Sequence, residues 1–389
     1  MKRDAILTLN AGSSSIKFAV YRPAAEPDEL VHGQVENIGP SARLVVGQPG
    51  GSKETHELGA ADHALALRHI LERSRQILGR NKTVAGVGHR VAHGGPDLVA
   101  PARLDAATIA KLKALEPLAP LHQPHNLAAV AAAQDVFPGA LQIGCFDTAF
   151  HRGHPWVNDT FALPRRYYEQ GVRRYGFHGL SYDYVTRELH KIAPQIADGR
   201  VIIAHLGNGA SMCAIKDGRS VASTMGFSAL DGLPMGTRCG QLDPGVLLYL
   251  MQTEGLSAGQ ISDLLYKESG LKGLSGLTHD LRTLEASDAP EARQAIDYFV
   301  FRIRREIGAM AAILGGVDAL VFCGGIGENS RMVRARVCEN MGWLGIEIDD
   351  EHNASNSRDI GRGRVPVLIV ATNEEQVMAR AVYAALDRA

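Results

Sequence analysis

Two segments of this chain, about half a chain apart, share one pattern: an apolar run, a short loop of small polar residues, and a second apolar run. The first unit spans 6–21 and the second spans 201–215. Two β-strands joined by such a loop form a hairpin. Gly-rich hairpins also recur by chance, but this recurrence indicates a duplicated architecture in which each half presents backbone amides to one cleft.

A long helical pattern lies in the second half of the chain. Apolar residues recur at three- or four-residue spacing through 290–314, and Ser287 or Asp288 is expected to cap this helix. A fully apolar strand follows at 319–323, and a Gly-rich loop at 324–329 is expected to open another helix. This order is how α/β proteins place a phosphate or nucleoside at the carboxyl ends of strands.

The chain closes with a strand at 365–370 and a helix that reaches Leu386. Glu374 and Glu375 lie in its first turn, where the helix dipole favours negative charge, so capping alone would explain them. Strands that alternate with helices throughout predict an α/β fold.

Composition limits the class of function. The chain has 389 residues, which predicts two domains, and its 41 Lys and Arg against 42 Asp and Glu leave a net charge of −1. Nucleic-acid and anionic-membrane partners require a cationic excess, so neither is expected. The most apolar stretch, 309–323, is too short to span a membrane, and no signal-peptide core is found. Five scattered cysteines without a C-x-x-C pair are typical of a reducing cytoplasm.

Three loops of Gly, Ser and Asn, each after a strand, are typical of a phosphate cradle, because glycine lets the backbone approach a polyanion closely. No G-x-x-x-x-G-K-[ST] motif occurs, which excludes a P-loop, and no G-x-G-x-x-G follows a strand, which argues against a dinucleotide site. Arg90 and Arg238 lie in short polar segments, where a guanidinium group can bind a carboxylate or phosphate in bidentate fashion.

The same polar residues are also consistent with two other kinds of site, a zinc site and the active site of a serine hydrolase. Histidine pairs at 89/93, 122/125 and 151/154 have the spacing of metal ligands, but no HExxH or C-x-x-C motif supports a zinc site. A Ser-His-Asp hydrolase is the other alternative. Both alternatives are weaker than phosphate binding.

The polar motifs, taken together and in order, resemble those of the acetate kinase family across nearly the whole chain. The strings that carry the resemblance are LTLNAGSSSIKF, GHRVAHGG, APLHQPHN, FDTAFH, YGFHGLS, AHLGNGAS, DGLPMGTRCG, Asp280-Leu281-Arg282, CGGIGENS and VPVLIVATNEE. The resemblance implies two duplicated ribonuclease-H-like α/β domains, as in actin, Hsp70 and sugar kinases, around a central nucleotide cleft. It places an N-terminal domain at 1–150, on which the closing helix 374–389 packs, and a nucleotide-binding domain at 151–373, and it implies a homodimer.

The resemblance further implies reversible in-line transfer of the ATP γ-phosphoryl group to acetate or another short-chain carboxylate, giving an acyl phosphate and ADP. Mg²⁺ is the expected cofactor, with Mn²⁺ tolerated. By motif position, Arg90 and Arg238 hold the carboxylate and the phosphoryl group, and His178 donates to phosphoryl oxygens with His122 nearby. Asp147 organises the arginines and the metal, since a carboxylate nucleophile with a pKa of about 4–5 needs no base.

The resemblance also assigns the remaining site residues. Metal ligands are expected at Asn10 and Glu374. The acyl pocket is expected to be formed by Arg90, Ala92, Leu121, Phe177 and Ala229. Nucleotide contacts are expected at Lys17, His205, Leu206, Gly207, Asn208, Gly209, Asp280, Leu281, Arg282, Gly325, Ile326, Gly327, Glu328 and Asn329.

Five positions depart from the family pattern. Ala92 replaces a larger residue and Ala229 a proline, while Leu180, Tyr182 and Cys239 replace Thr, His and Ser. The two alanines leave room for a methylene beyond acetate, so a propionate or butyrate kinase of the same superfamily is an alternative. A non-catalytic nucleotide-binding module is a second alternative, although it would have no use for a phosphoryl-acceptor site.

Overall fold

The computed structural model describes residues 5–12, 14–78, 83–119 and 122–388. The chain divides into two units, Met1–Arg152 together with Asn373–Ala389, and Gly153–Thr372. Each unit contains a β-sheet that packs against helices, so the predicted α/β class is confirmed.

The first unit contains eight strands and four helices among its described residues. The strands are Ala5–Ala11 (β1), Ile16–Arg22 (β2), Asp28–Glu36 (β3), Gly39–Gly47 (β4), Lys53–Ala61 (β5), Val84–Val91 (β6), Ala102–Arg103 (β7) and Leu141–Phe146 (β8). The helices are His63–Leu78 (α1), Ala106–Ala114 (α2), Gln123–Val136 (α3) and the C-terminal Glu374–Asp387 (α16). The strands form one sheet in the order β5-β4-β3-β2-β1-β6-β8-β7.

Three parallel strands determine where the polar residues of the first unit lie. β1 pairs in parallel with β6, and β6 pairs in parallel with β8, with Arg90 opposite Cys145. Because the carboxyl ends of parallel strands lie at one edge of a sheet, Asn10, Arg90 and Asp147 come to the same edge.

The C-terminal helix packs across the same strands, β1, β6 and β8. A Cβ atom on Gly86 would lie 2.5 Å from Cγ1 of Val382, and one on Gly88 would lie 3.0 Å from Cβ of Met378. The two glycines therefore let α16 approach β6 closely, and this packing brings Glu374, at the start of the helix, next to Asn10 and Arg90.

The second unit contains five strands among its described residues, in the order β11-β10-β9-β12-β13. The strands are Val201–Leu206 (β9), Ala210–Lys216 (β10), Arg219–Ser223 (β11), Ala319–Cys323 (β12) and Val367–Ile369 (β13). The helices are Trp156–Asp159 (α4), Arg165–Glu169 (α5), Gly179–Ile192 (α6), Pro194–Ala197 (α7), Pro244–Gln252 (α8), Ala258–Asp263 (α9), Gly270–Ser275 (α10), Leu281–Glu285 (α11), Pro290–Leu314 (α12), Gly324–Asn329 (α13), Arg331–Cys338 (α14) and Asp350–Ala354 (α15).

The two sheets share a topology. In the first, the antiparallel β1–β2 hairpin is followed by β6 and β8, which run parallel to β1. In the second, the antiparallel β9–β10 hairpin is followed by β12 and β13, which run parallel to β9. The predicted duplication is therefore confirmed.

The long helix α12 covers the second sheet with a continuous apolar face. Phe299, Ile303 and Ile307 on this face are fully buried. No helix in the described part of the chain is both long and apolar enough to cross a membrane.

Three local predictions need correction. Neither Ser287 nor Asp288 caps α12: the helix begins after Ala289 without a side-chain cap, and Ser287 Oγ accepts the N–H of Ala289 instead. The segment 324–329 is itself a short helix that starts directly after β12, rather than a loop. β13 is shorter than the predicted strand, since Pro366 has no N–H for a strand ladder.

Candidate active site

Four of the predicted site residues form one cluster in the first unit, here called the arginine–carboxylate cluster: Asn10, Arg90, Asp147 and Glu374. The Nε of Arg90 donates to both carboxylate oxygens of Asp147 at 3.1 Å, and its Nη2 donates to Oδ2 at 2.6 Å. Its Nη1 donates to Oδ1 of Asn10 at 3.1 Å. Oε2 of Glu374 lies 3.7 Å from Nε of Arg90 and 3.4 Å from Nδ2 of Asn10.

This arrangement fixes Arg90 and leaves it able to bind a further anion. A guanidinium group has five N–H donors, and the contacts above use three of them. The other two, on Nη1 and Nη2, have no partner among the described residues. Burial opposes the charge of Arg90, but Asp147 and Glu374 outweigh it and raise the pKa of the guanidinium further. Arg90 is therefore a permanently charged group held ready for a carboxylate or phosphate.

Glu374 lies in the first turn of α16, as predicted, but it is not the side chain that caps the helix. The cap of α16 is Asn373, whose Oδ1 accepts the backbone N–H of Gln376 at 2.9 Å. The carboxylate of Glu374 also joins the arginine–carboxylate cluster.

The charge around Glu374 fits a divalent cation. Burial, together with nearby Asp147 and Glu375, raises the pKa of Glu374 to about 7 despite the opposing charge of Arg90. The cluster contains two carboxyl groups, of Asp147 and Glu374, beside a single guanidinium group. Carboxylate and amide oxygens are the ligands that Mg²⁺ takes in proteins, and Asn10 and Glu374 supply both.

A buried amide that the sequence reasoning missed joins the two strand ends. Asn126 of α3 donates from Nδ2 to the carbonyl oxygen of Ala11 at 2.7 Å and accepts the N–H of Ala92 at 2.9 Å. These bonds tie the chain next to Asn10 to the chain two residues after Arg90. The APLHQPHN string contains this residue, but nothing in the string itself shows which polar side chain turns inward.

Three further predicted residues are described in the first unit. Ala92 is buried, His122 is half-buried immediately before α3, and Lys17 is exposed on β2 opposite Asn10. Leu121 lies outside the described residues.

The zinc alternative finds no support in the described part of the chain, where no three His, Cys, Asp or Glu side chains are grouped to hold a metal. His89 and His93 have separate partners: Nε2 of His89 contacts Oε1 of Gln142 at 2.7 Å, and Nδ1 of His93 accepts the N–H of Gly95. Burial lowers the pKa of each imidazole to about 4, so both are neutral.

A second group of predicted residues meets in the second unit, here called the histidine–arginine cluster: His178, His205, Gly209 and Arg238. The rings of His178 and His205 stack, with centroids 4.3 Å apart. A Cβ atom on Gly209 would lie 2.9 Å from Nη2 of Arg238 and 3.2 Å from Nε2 of His178. Nη1 of Arg238 donates to the carbonyl oxygen of Ala229 at 2.9 Å. Two N–H-bearing groups thus converge beside a position that has no side chain.

Backbone strain accompanies this convergence. His178 has a φ of +58° and lies immediately before α6. A left-handed conformation is uncommon outside glycine and costs about 1 kcal/mol or more. The fold therefore holds His178 in a costly conformation that directs its ring at Gly209.

The predicted nucleotide segments lie next to one another in the second unit. A Cβ atom on Gly324 would lie 2.7 Å from the carbonyl oxygen of Leu206, so α13 starts against the end of β9. A Cβ atom on Gly236 would clash with Oδ1 of Asn208 and would lie 3.4 Å from Cβ of His279, which precedes Asp280. These contacts bring together three segments: the loop 205–209, the start of α13 and the residues 280–282.

Several side chains of these segments are already engaged within the protein. Glu328 accepts the N–H of Gly324 at 2.9 Å, and Asn329 donates to the carbonyl oxygen of Gly325 at 2.9 Å. Asp280 pairs with Arg282. Leu281 is buried, and Ile326 and Ala229 are partly buried against the core that also contains Phe177. The Asp280–Arg282 pair remains largely exposed, so its side chains are still accessible to a ligand.

The sequence model of the Acetokinase family matches residues 5–380. The acetate kinase of Methylocella silvestris is 56% identical over 397 residues, covering 98% of each chain. The acetate kinase of Rhodopseudomonas palustris strain CGA009 is 49% identical, covering 99% of each chain.

Solved structures agree with these relatives. The acetate kinase of Porphyromonas gingivalis is 40% identical, with a TM-score of 0.86, and the alignment covers 97% of this chain and 98% of that one. The propionate kinase of Francisella tularensis is 34% identical, with a TM-score of 0.91 and the same coverage. By the family match, the identities and the shared fold, this chain belongs to the acetokinase family.

Proposed function

We propose that this protein reversibly transfers the γ-phosphoryl group of ATP to acetate, giving acetyl phosphate and ADP. The observation that carries the proposal is the convergence of Arg238 and His178 beside Gly209, in the loop expected to hold the nucleotide. The relatives named acetate kinase support the choice of acceptor.

In the proposed reaction an oxygen of the acetate carboxylate attacks the γ-phosphorus in line. The bond to the bridging oxygen breaks, and ADP leaves with the electron pair. Such a loose transition state spreads charge over three equatorial oxygens, which donors must neutralise. Arg238 and Nε2 of His178 are the donors assigned to these oxygens.

Arg90 is assigned to the incoming anion. Asp147 occupies its Nε edge, so the two remaining N–H groups on Nη1 and Nη2 are the ones that can orient the acetate or phosphoryl oxygens. Acetate is ionised at neutral pH, so no general base is required. Asp147 therefore acts by holding Arg90 in place.

A hydroxylamine trap tests the reaction directly. With acetate, ATP and Mg²⁺, acetyl hydroxamate should accumulate in proportion to enzyme. If ATP binds, as measured by calorimetry, but no hydroxamate forms, the protein is a nucleotide-binding module and the proposal fails.

Mg²⁺ is the cofactor that we propose for the arginine–carboxylate cluster, with Asn10 and Glu374 as its protein ligands. When bound, it would neutralise phosphate charge and order the nucleotide. The donor set supports this assignment, because two carboxyl groups and the amide of Asn10 lie together beside a single guanidinium group.

The affinity for Mg²⁺ should therefore depend on pH. A carboxyl group with a pKa of about 7 is neutral below that pH and ionised above it, so protons compete with the metal as pH falls. Between pH 8 and pH 6 the apparent dissociation constant of Mg²⁺ should rise about tenfold. Metal titrations of Glu374→Gln should show weak binding without this dependence. Equal pH dependence in both proteins would exclude Glu374 as the titrating ligand.

Acyl-chain selectivity should be weak, because Ala92 and Ala229 are small. One buried methylene contributes about 0.8 kcal/mol, which is about a fourfold preference. Propionate should therefore have a kcat/KM within about fourfold of that of acetate. Ala92→Val should lower the value for propionate more than that for acetate. A steep fall from acetate to propionate in the unmodified enzyme would contradict the enlarged pocket.

We also propose a homodimer, in which α8 contributes to the interface. None of its residues is buried, although Leu248, Tyr249 and Met251 are all apolar or aromatic and about half exposed. Exposed apolar patches of this kind mark interaction sites, and most soluble oligomers are symmetric homo-oligomers.

Light scattering after size exclusion tests the dimer. The unmodified protein should have twice the chain mass, and Leu248→Glu should be a monomer. Val99→Glu, at an exposed apolar residue of the first unit, is the matched control and should remain a dimer. A monomeric unmodified protein, or a dimeric Leu248→Glu, would contradict the assignment.

The cytoplasm is the compartment proposed for this reaction. All five cysteines are free thiols, and four of them are buried, as expected under reducing conditions. ATP is also available there.

A further inference from the structure

His178, Ser211 and Tyr182 are joined by a chain of hydrogen bonds. The proposed reaction assigns no role to Ser211 or Tyr182. Nδ1 of His178 lies 2.8 Å from Oγ of Ser211, and the hydroxyl of Tyr182 lies 2.5 Å from the same Oγ. Tyr182 and Ser211 are fully buried. The three side chains form a relay that runs from the protein interior to the ring.

Local structure builds this relay. Tyr182 follows His178 by four residues, and its N–H donates to the carbonyl oxygen of His178 in the first turn of α6, so both side chains lie on one face. Ser211 is the cross-strand partner of His205, on which the ring of His178 stacks. The start of α6 and the β9–β10 register are therefore both needed to bring the three groups together.

The phenol of Tyr182 is a neutral group within hydrogen-bond distance of Ser211. Burial raises the pKa of Tyr182 well above its usual value of 10.0, so its hydroxyl keeps its proton and can donate to Ser211. A serine hydroxyl that accepts from Tyr182 has its own proton left to donate onward. The acceptor within reach is then Nδ1 of His178.

We propose that Tyr182, acting through Ser211, is a positioning residue that holds His178 as the tautomer with its proton on Nε2. Nδ1 accepts from Ser211, so the neutral imidazole must carry its hydrogen on Nε2. That nitrogen lies beside Gly209 and Nη2 of Arg238. The relay therefore supplies a neutral N–H donor next to the guanidinium group, which adds no second positive charge there.

This inference rests on the proposed function for the role of His178, but the tautomer can be observed without activity. Nitrogen-15 NMR of protein labelled at histidine distinguishes a protonated from an unprotonated ring nitrogen, and His178→Gln assigns the signals. The unmodified protein should show Nε2 protonated and Nδ1 unprotonated. In Tyr182→Phe the two signals should move towards each other, because Ser211 is then free to accept from Nδ1.

The value of kcat should depend on which ring nitrogen of His178 carries the proton. Tyr182→Phe keeps the buried ring and should lower kcat by about tenfold or more, with little change in KM for ATP. Ser211→Ala should lower kcat by at least as large a factor. Ser211→Thr, which keeps a hydroxyl group, should retain most of the original kcat. Since Tyr182 acts through Ser211, the Tyr182→Phe/Ser211→Ala double variant should lose no more than Ser211→Ala alone.

The outcomes are separable. No hydroxamate from the unmodified protein defeats the proposed function, and the tautomer measurement still stands. An active protein with its proton on Nδ1, or a Tyr182→Phe variant with unchanged tautomer and kcat, overturns the positioning role. The positioning role is also overturned if the fold losses in kcat of Tyr182→Phe and Ser211→Ala multiply in the double variant, because the two residues would then act independently. If Tyr182→Phe does not fold, the Ser211→Ala and Ser211→Thr pair decides between the same outcomes.

Discussion

Replacing Arg238 with alanine is expected to lower kcat by about a thousandfold while leaving the dissociation constant of ATP within about threefold of its original value. The reason is that a cationic donor next to a transferring phosphoryl group acts mainly where charge develops. Arg238 is anchored by one Nη atom on the carbonyl oxygen of Ala229, and its other Nη atom lies beside Gly209. Steady-state kinetics combined with calorimetric titration of ATP measure the two quantities separately.

Two further variants sharpen the test of Arg238. Arg238→Lys keeps the charge but loses the planar fork, so it should recover only part of kcat. Arg219→Ala, at an exposed arginine of β11 in the same unit, should leave both quantities unchanged. If Arg238→Ala weakens ATP binding as much as it lowers kcat, Arg238 has a structural role and the assignment is wrong.

The sequence pattern was sufficient to predict both hairpins and the duplicated α/β fold. Each hairpin consists of two apolar runs that become buried strands. The residues between the two runs are small and polar, so they mark the loop. The convergence of Asn10, Arg90 and Asp147 also follows from simple rules, because all three end parallel strands of one sheet.

The role of Glu374 could not be predicted from pattern alone. An acidic residue in the first turn of a helix is adequately explained by the helix dipole. Only the packing of α16 on β6, allowed by Gly86 and Gly88, brings its carboxylate to Asn10, which is 364 residues away in sequence. Local propensity contains no information about contacts of that separation.

The relay behind His178 was partly visible in the sequence. The four-residue spacing from His178 to Tyr182 predicts a shared helix face once α6 is known to start there. The position of Ser211 depends on the register between β9 and β10, which pairs it with His205. Buried hydroxyl groups of this kind give no periodic signal, because a single polar residue in an apolar strand is common.

Replacing Gly209 with alanine should lower kcat by about a hundredfold with little loss of stability. Its φ is not in the left-handed region, so alanine fits the backbone. The added methyl group would, however, lie 2.9 Å from Nη2 of Arg238 and 3.2 Å from Nε2 of His178. Nη2 ends the long side chain of Arg238, so it can move away at low energetic cost, whereas the ring of His178 is held by His205 and Ser211. The donors to the phosphoryl oxygens would then be displaced by a fraction of an ångström or more, and such a displacement is enough to lose most of the catalytic rate.

Gly308→Ala is the matched control for Gly209→Ala, because a Cβ atom there meets no other atom within 4 Å. Gly308 lies inside α12, where alanine should raise the stability by about 0.5–1 kcal/mol without changing kcat. Thermal unfolding and steady-state kinetics on both variants separate the two effects. If Gly209→Ala retained kcat within about threefold of the original, a side chain would be tolerated at the point where Arg238 and His178 meet. The phosphoryl group could then not be bound there, and the assignment of both residues to its oxygens would have to be abandoned.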